Sequence, residues 1–237
     1  MSARRIGIAA AVAVALLISA SASAKGTNRT GQGAASALLD RLVKPRQPGP
    51  MAPRDECAHV AGARAFRESV ASAVVARDAN ALVRLASPQV QLGFGGDNGT
   101  TWLRRNASAR DGAFWTNLAE AISLGCAVAA DGSIAVPWVY TQEPGGLDPF
   151  DALLVKGAGV PLRAEPAATA RVLQMLDWQF VELAGPWEAD AAFVKVRTAG
   201  KVEGYIAMAA QRGATETRVI AERTRAGWRI TAIVAGD

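Results

Sequence analysis

GVPLRAEPAATARVLQML, residues Gly159–Leu176, holds two short apolar runs separated by a polar lip. Val160 and Leu162 read as one face of a strand, which Arg163-Ala164-Glu165-Pro166 stops. Small residues follow, and Arg171-Val172-Leu173-Gln174-Met175-Leu176 starts a second strand. Strand, lip and strand point to a small β-barrel with a long first loop rather than to a helical or parallel-sheet design.

Downstream, WQFVELAGPW, AFVKVRT and KVEGYIAMAA continue the short strands. Val160, Leu162, Arg163 and Pro166, then Val172, Leu173 and Leu176, then Phe180, Val181 and Leu183 follow one another in an ordered pattern. Phe193, Lys195 and Val196, then Gly200, Gly204, Tyr205 and Ile206 complete it. In that order these residues resemble the bacterial Src-homology-3 (SH3-like) family, over residues 152–212. The segment 187–192 departs from the family pattern as an insertion before the fourth strand, and Tyr205 stands where a tryptophan is commoner. The resemblance implies a barrel that binds cell-wall peptide or a protein partner along its edge.

Upstream the period changes. Phe66, Val70 and Val74 recur every four residues from Arg64 to Arg77, the stripe of an amphipathic helix. Asp78 is placed to cap a second, short helix carrying Leu82 and Leu85, and Pro88 prevents its continuation. Val90–Phe94 reads as a strand, Asp97-Asn98-Gly99 as a turn, and Thr100 or Thr101 as the cap of a helical turn through Trp102 and Leu103. A third helix spans 112–124 with Phe114, Leu118 and Ile122 on one stripe, followed by a strand from Ser133 to Tyr140. The segment FRESVASAVVARDANALVRLASPQVQLGFGG resembles the nuclear-transport-factor-like (SnoaL-like) cone family, which implies a curved sheet wrapped by helices around a pocket. Relatives with enzymatic activity place a histidine or aspartate in that cone. No histidine follows His59 here, so no catalytic residue carries over.

The ends of the chain complete the organisation. Arg4 and Arg5, an apolar run from Ile6 to Ile18, and Ala22-Ser23-Ala24 form a secretory leader over residues 1–24. An uncleaved anchor is the alternative. Residues 25–55, with four prolines in KPRQPGPMAPRDE, read as an extended, disordered linker, although Ala34–Val43 has some helical character. An α+β domain over 56–147 is completed by 213–237. Its reason is the final hairpin, Arg218–Arg223 and Trp228–Val234, which a closed barrel does not need and which finds its simplest place beside Ser133–Tyr140. The fold class is therefore α+β, a cone-like antiparallel-sheet domain with a small SH3-like barrel inserted before the last hairpin.

Export gives Cys57 and Cys126 the meaning of a disulfide, because they flank the first and third helices and antiparallel packing brings those ends together. Removing Arg4 and Arg5 with the leader lowers the formal charge of +5 by two, to +3. The basic charge alone could suit nucleic acid, but export argues against that partner and leaves a solvated basic surface as its reading; the leader is the chain's only expected membrane contact. No G-x-S-x-G, H-E-x-x-H, C-x-x-C or P-loop motif is present. Asp55, Glu56, Cys57 and His59 make a poor metal set, so neither catalytic residue, metal nor cofactor is assigned.

The expected binding group is Arg163, Glu165, Trp178, Trp187 and Tyr205 on the barrel edge. The function read is an exported, periplasmic or secreted, non-catalytic protein that binds cell-wall peptide or a periplasmic protein. The alternative is a small-molecule-binding or enzymatic cone. The exported protein is expected to begin at Lys25. Intact-mass measurement that finds residues 1–24 retained overturns the cleaved-leader reading.

Overall fold

The computed structural model describes residues 23–41, 46–96 and 98–236. The leader reading of residues 1–24 lies outside them except for Ser23 and Ala24. Among the described residues no helix is long and apolar enough to cross a membrane.

Helix α1 spans Ser23–Asp40 and α2 spans Ala63–Val75. Phe66, Val70 and Val74 of α2 are buried, as their four-residue spacing requires. Helix α3 (Ala79–Leu85) begins where the Asp78 carboxylate accepts the Ala81 N–H at 2.9 Å. Strand β1 covers Ala86–Gln91, earlier than the expected Val90–Phe94, and includes Pro88. It tolerates the proline because it lies at a sheet edge and pairs on one side only. Helix α4 (Thr100–Ala107) starts from Gly99, whose φ of 88° suits glycine, rather than from a threonine cap. Helix α5 spans Ala113–Ser123 and buries Trp115, Leu118 and Ile122.

Strands β2 (Ala127–Val128) and β3 (Ile134–Val136) follow. The strand expected to reach Tyr140 ends at Val136, because Pro137 has no N–H to continue the ladder and Trp138–Thr141 turn as a 3-10 helix. Seven short strands come next: β4 (Ala152–Val155), β5 (Val160–Arg163), β6 (Val172–Leu176), β7 (Phe180–Leu183), β8 (Phe193–Arg197), β9 (Glu203–Ala207) and β10 (Gln211–Gly213). They form one antiparallel sheet in the order β10-β4-β7-β8-β9-β5-β6. Leu162, Leu176, Val181, Val196 and Ile206 fill its inner face. Strands β11 (Arg218–Thr224) and β12 (Gly227–Val234) close the chain. They join the other sheet, ordered β1-β12-β11-β3-β2, with β11 antiparallel to β3. The seven-stranded sheet thus lies between β3 and β11 in the sequence. Helices beside largely antiparallel sheets make the class α+β.

The extended-linker reading of 25–55 is corrected. Residues 23–40 are helical, and Ala35 and Leu39, four positions apart, are buried in the helical core. Arg64 of α2 reaches Asp40 at 3.4 Å. Residues 46–55 form no helix or strand but make a turn in which the Ala52 N–H donates to the Gly49 carbonyl at 3.3 Å, and backbone bonds tie them down. The Met51 N–H donates to the Trp178 carbonyl at 2.7 Å, and Ala52 is buried. At Gly49, φ 106°, a Cβ would stand 2.2 Å from the Asp177 carbonyl oxygen, so only glycine allows this approach.

A third apolar cluster joins the two sheets. Leu124, Ala127, Trp138 and Val139 meet Leu154 and Trp178 over Ala52. Beside it, Glu120 of α5 pairs with Lys156 at 2.5 Å and lies 3.5 Å from Arg212 of β10.

Cys57 and Cys126 are bridged, with Cα atoms 5.7 Å apart and neither residue exposed. Such a bond belongs to an oxidising compartment rather than to the reducing cytoplasm. It closes a loop with a sequence separation of 69 residues, which on the chain-entropy account stabilises the fold by about 4 kcal/mol. Cys126→Ser is expected to lower unfolding stability by about 2–5 kcal/mol in denaturant titration. Wild type in reductant should move the same way, and unchanged midpoints would contradict the role.

Candidate functional site

The alternation of β8 and β9 builds a charged outer face. Val194, Val196, Gly204 and Ile206 point inward, so Lys195, Arg197, Glu203 and Tyr205 face outward. Antiparallel pairing sets Arg197 opposite Glu203 and Lys195 opposite Tyr205. On the far side of β9, Arg163 stands opposite Tyr205. On the far side of β8, Glu182 stands opposite Arg197.

Register becomes chemistry through the ion pairs. Arg197 donates to Glu182 at 3.0 Å and to Glu203 at 2.7 Å, while Lys195 holds the other Glu203 oxygen at 2.8 Å. Two cations on one carboxylate, Lys195 first and then Arg197, lower the Glu203 pKa from 4.5 to about 2. The ladder crosses four strands with both charge signs in fixed positions.

At the β7 end the ladder runs into a groove of about 450 Å³. Phe180, Met51, Pro50 and Pro144 give it apolar walls, and Glu182 and Arg197 carry the charges into it.

Of the five expected residues, the sheet brings some together and separates others. Arg163 and Tyr205 are neighbours, and the Arg163 guanidinium donates to the Ala170 carbonyl at 2.8 Å, bracing the long loop. Glu165 is exposed in that loop. Trp187 is 50 % exposed in the connection that enters β8 at Phe193, opposite Ala207. By register it approaches the sheet from the end opposite the Arg163 loop. Trp178 is a correction, being only 1 % exposed. Its φ of 34° is left-handed, its backbone is held by Met51 and Gly157, and its indole N–H donates to Gln47 at 2.8 Å. It belongs to the apolar cluster between the sheets and offers no face to a ligand. The sequence reading missed Glu182, Arg197 and Glu203, although V-K-V-R and E-G-Y-I alternate visibly. Only strand pairing turns that alternation into a ladder.

The space between the helices and the five-stranded sheet is nearly full. The cavity among Phe66, Val70, Ile134, Val136 and Val219 is about 20 Å³, room for about one water. Buried Arg67 lines it and pairs with Asp55 at 2.6 Å. Asp55, Cys57 and Cys126 cluster, but the sulfurs are bonded to each other and the carboxylate is engaged by Arg67, which leaves no metal-ligand set there.

Comparison of the chain with protein-family models, with curated proteins and with solved structures finds no match.

Protonating Glu203 breaks both of its ion pairs. Its lowered pKa means that its stabilising contribution is complete above the ordinary 4.5 and is lost as pH falls toward about 2. A carboxyl-carbon NMR titration should place the Glu203 midpoint near 2, and Lys195→Ala should raise it. A midpoint near 4.5 in wild type would refute the ladder.

Proposed function

We propose that the chain is an exported, non-catalytic binding protein whose seven-stranded sheet works as an SH3-like barrel and holds a peptide. The peptide is one of the cell wall or a segment of a partner protein. The observation that carries the reading is the continuity of the groove beside Phe180 with the charged ladder from Glu182 to Arg163. A peptide crossing it meets apolar walls first and then alternating charges. Wall peptides are zwitterionic, and a face that presents both signs at strand spacing complements them. Tyr205, half-buried at the centre, offers apolar area at low entropy cost. Glu165 extends the path from the loop, and exposed Trp187 supplies a stacking surface at the opposite end.

An extended peptide on the barrel exterior also agrees with how small barrels are built. Their interiors are filled by side chains, as Leu162, Val181, Val196 and Ile206 fill this one. Long connections on a rigid sheet, here 164–171 and 184–192, are where binding groups concentrate.

Calorimetric titration of the mature protein with a soluble wall-derived stem tetrapeptide tests this reading. Saturable binding at millimolar concentration or tighter is expected. Arg197→Gln should weaken it about tenfold, because a hydrogen bond to a charged group is worth about 1.5–3 kcal/mol. Trp187→Ala should weaken it less if the groove end dominates. No saturable heat, or equal heat from wild type and Arg197→Gln, overturns the proposal.

A further inference from the structure

Two arginines that the ladder does not use stand at the junction where the chain passes between the sheets. One crossing runs from β3 through residues 137–151 to β4, and the other from β10 through 214–217 to β11. Between them lies a cavity of about 270 Å³, lined by Arg212, Arg218, Tyr140, Thr215, Phe180 and Pro137 among others.

Both guanidinium groups are buried, Arg212 at 2 % exposure and Arg218 at 6 %. Backbone carbonyls fix both. Arg218 Nη1 donates to Gly236 at 2.6 Å, and Arg212 Nη2 donates to the Thr217 carbonyl. The Arg218 guanidinium also lies over the Tyr140 ring, 4.8 Å from its centroid. The two groups are therefore held in place before any ligand arrives.

Their charges are not equally answered. Arg212 Nη1 stands 3.3 Å from Glu216 and 3.5 Å from Glu120, near enough for ion pairs but without hydrogen-bond geometry to either. Arg218 has no ion pair with any carboxylate among the described residues, and its buried Nε–H has no partner. A buried guanidinium N–H left unpaired is costly, and native structures seldom leave one without a reason. Burial pushes the Arg212 pKa below its ordinary value, against the pull of Glu216 and Glu120. Arginine stays charged at neutral pH nonetheless. Glu143 also lines the cavity, but it is exposed and solvent-screened.

We propose that this cavity is a carboxylate-binding site, in which Arg218, seconded by Arg212, receives the free carboxylate of a small ligand such as the C-terminus of a short peptide. Arginine is suited to this because its planar fork matches a carboxylate. The volume limits the rest of the ligand. At about 30 Å³ per water the space equals about nine waters, below the ~300 Å³ at which drug-sized pockets begin. Prolines, Phe180 and Tyr140 leave room for one or two small apolar groups behind the carboxylate. The cavity shares Phe180 and Pro144 with the groove beside the ladder, but Arg212 and Arg218 take no part in the ladder, and the assignment does not rest on the function proposed for that face.

The test is an NMR titration of the full mature protein with N-acetyl-dialanine, beside the same compound as its C-terminal amide. The acid is expected to shift the Arg218 Nε–H resonance and the Tyr140 ring signals saturably, and the amide is expected not to. Arg218→Lys, which keeps the charge and loses the fork, should weaken binding at least about tenfold, whereas Phe94→Ala, at an exposed residue far from the cavity lining, should leave it unchanged. The wild-type Nε–H readout keeps the test decisive even if Arg218→Lys unfolds. Equal shifts with acid and amide, or no shift at Arg218 up to saturating acid, overturn the proposal.

Discussion

A short clasp between residues 54–57 and 125–128 holds the molecule together. Cys126 donates its N–H to the Arg54 carbonyl at 2.8 Å, and Glu56 returns a bond to the Cys126 carbonyl at 2.9 Å. The disulfide Cys57–Cys126 locks that pairing covalently. The strands approach so closely that a Cβ on Gly125 would lie 2.2 Å from the Arg54 oxygen, and its φ of 86° suits glycine as well. Side chains then radiate from the clasp. Asp55 neutralises buried Arg67 inside the helical core, Glu56 accepts the Trp138 indole N–H at 2.7 Å, and Arg54 covers the Trp138 ring at 4.6 Å.

Both sheets are placed by this point. On one side the clasp fixes α2 through Arg67 and leads into β2, which carries β3 and thereby β11 and β12. On the other, Trp138 and Ala127 pack with Leu154 and Trp178 of the seven-stranded unit. Glu120, one turn before the end of α5, adds charge contacts to Lys156 and Arg212 across the same boundary. Apolar packing supplies most of the energy, and the polar contacts choose the orientation, since a mispaired buried charge is far more costly than a misplaced methyl.

The division of labour in the chain follows from this arrangement. Inner faces are filled, in the helical core down to a space of about 20 Å³. The larger open spaces among the described residues lie on outer faces and at the junction. The ladder on β7, β8, β9 and β5 is solvent-facing, and its exposed ion pairs contribute little to stability. The buried arginines at the junction present the opposite case. They are desolvated and fixed by carbonyls, and Arg218 in particular is incompletely paired.

Local periodicity made much of the fold legible. Phe66, Val70 and Val74 announced a helix, Asp78 a cap, and Val160 with Leu162 a strand, because each pattern is enforced by neighbours within a few residues. The cysteine pair was legible too, since the flanking helices bring their ends together. Tertiary structure alone decided the rest. Trp178 reads like any indole at a strand end, yet backbone bonds from Gly157 and Met51 turn it into the core. The proline-rich segment around Gly49 lacks periodicity and reads as a free linker, but its hydrogen bonds are made to residues far along the chain. The ladder and the Arg212–Arg218 pair arise from strand register and from two chain crossings, which bring together residues separated by whole elements of sequence. A sequence carries its short-range constraints openly, whereas a contact between distant segments exists only once the chain has closed on itself.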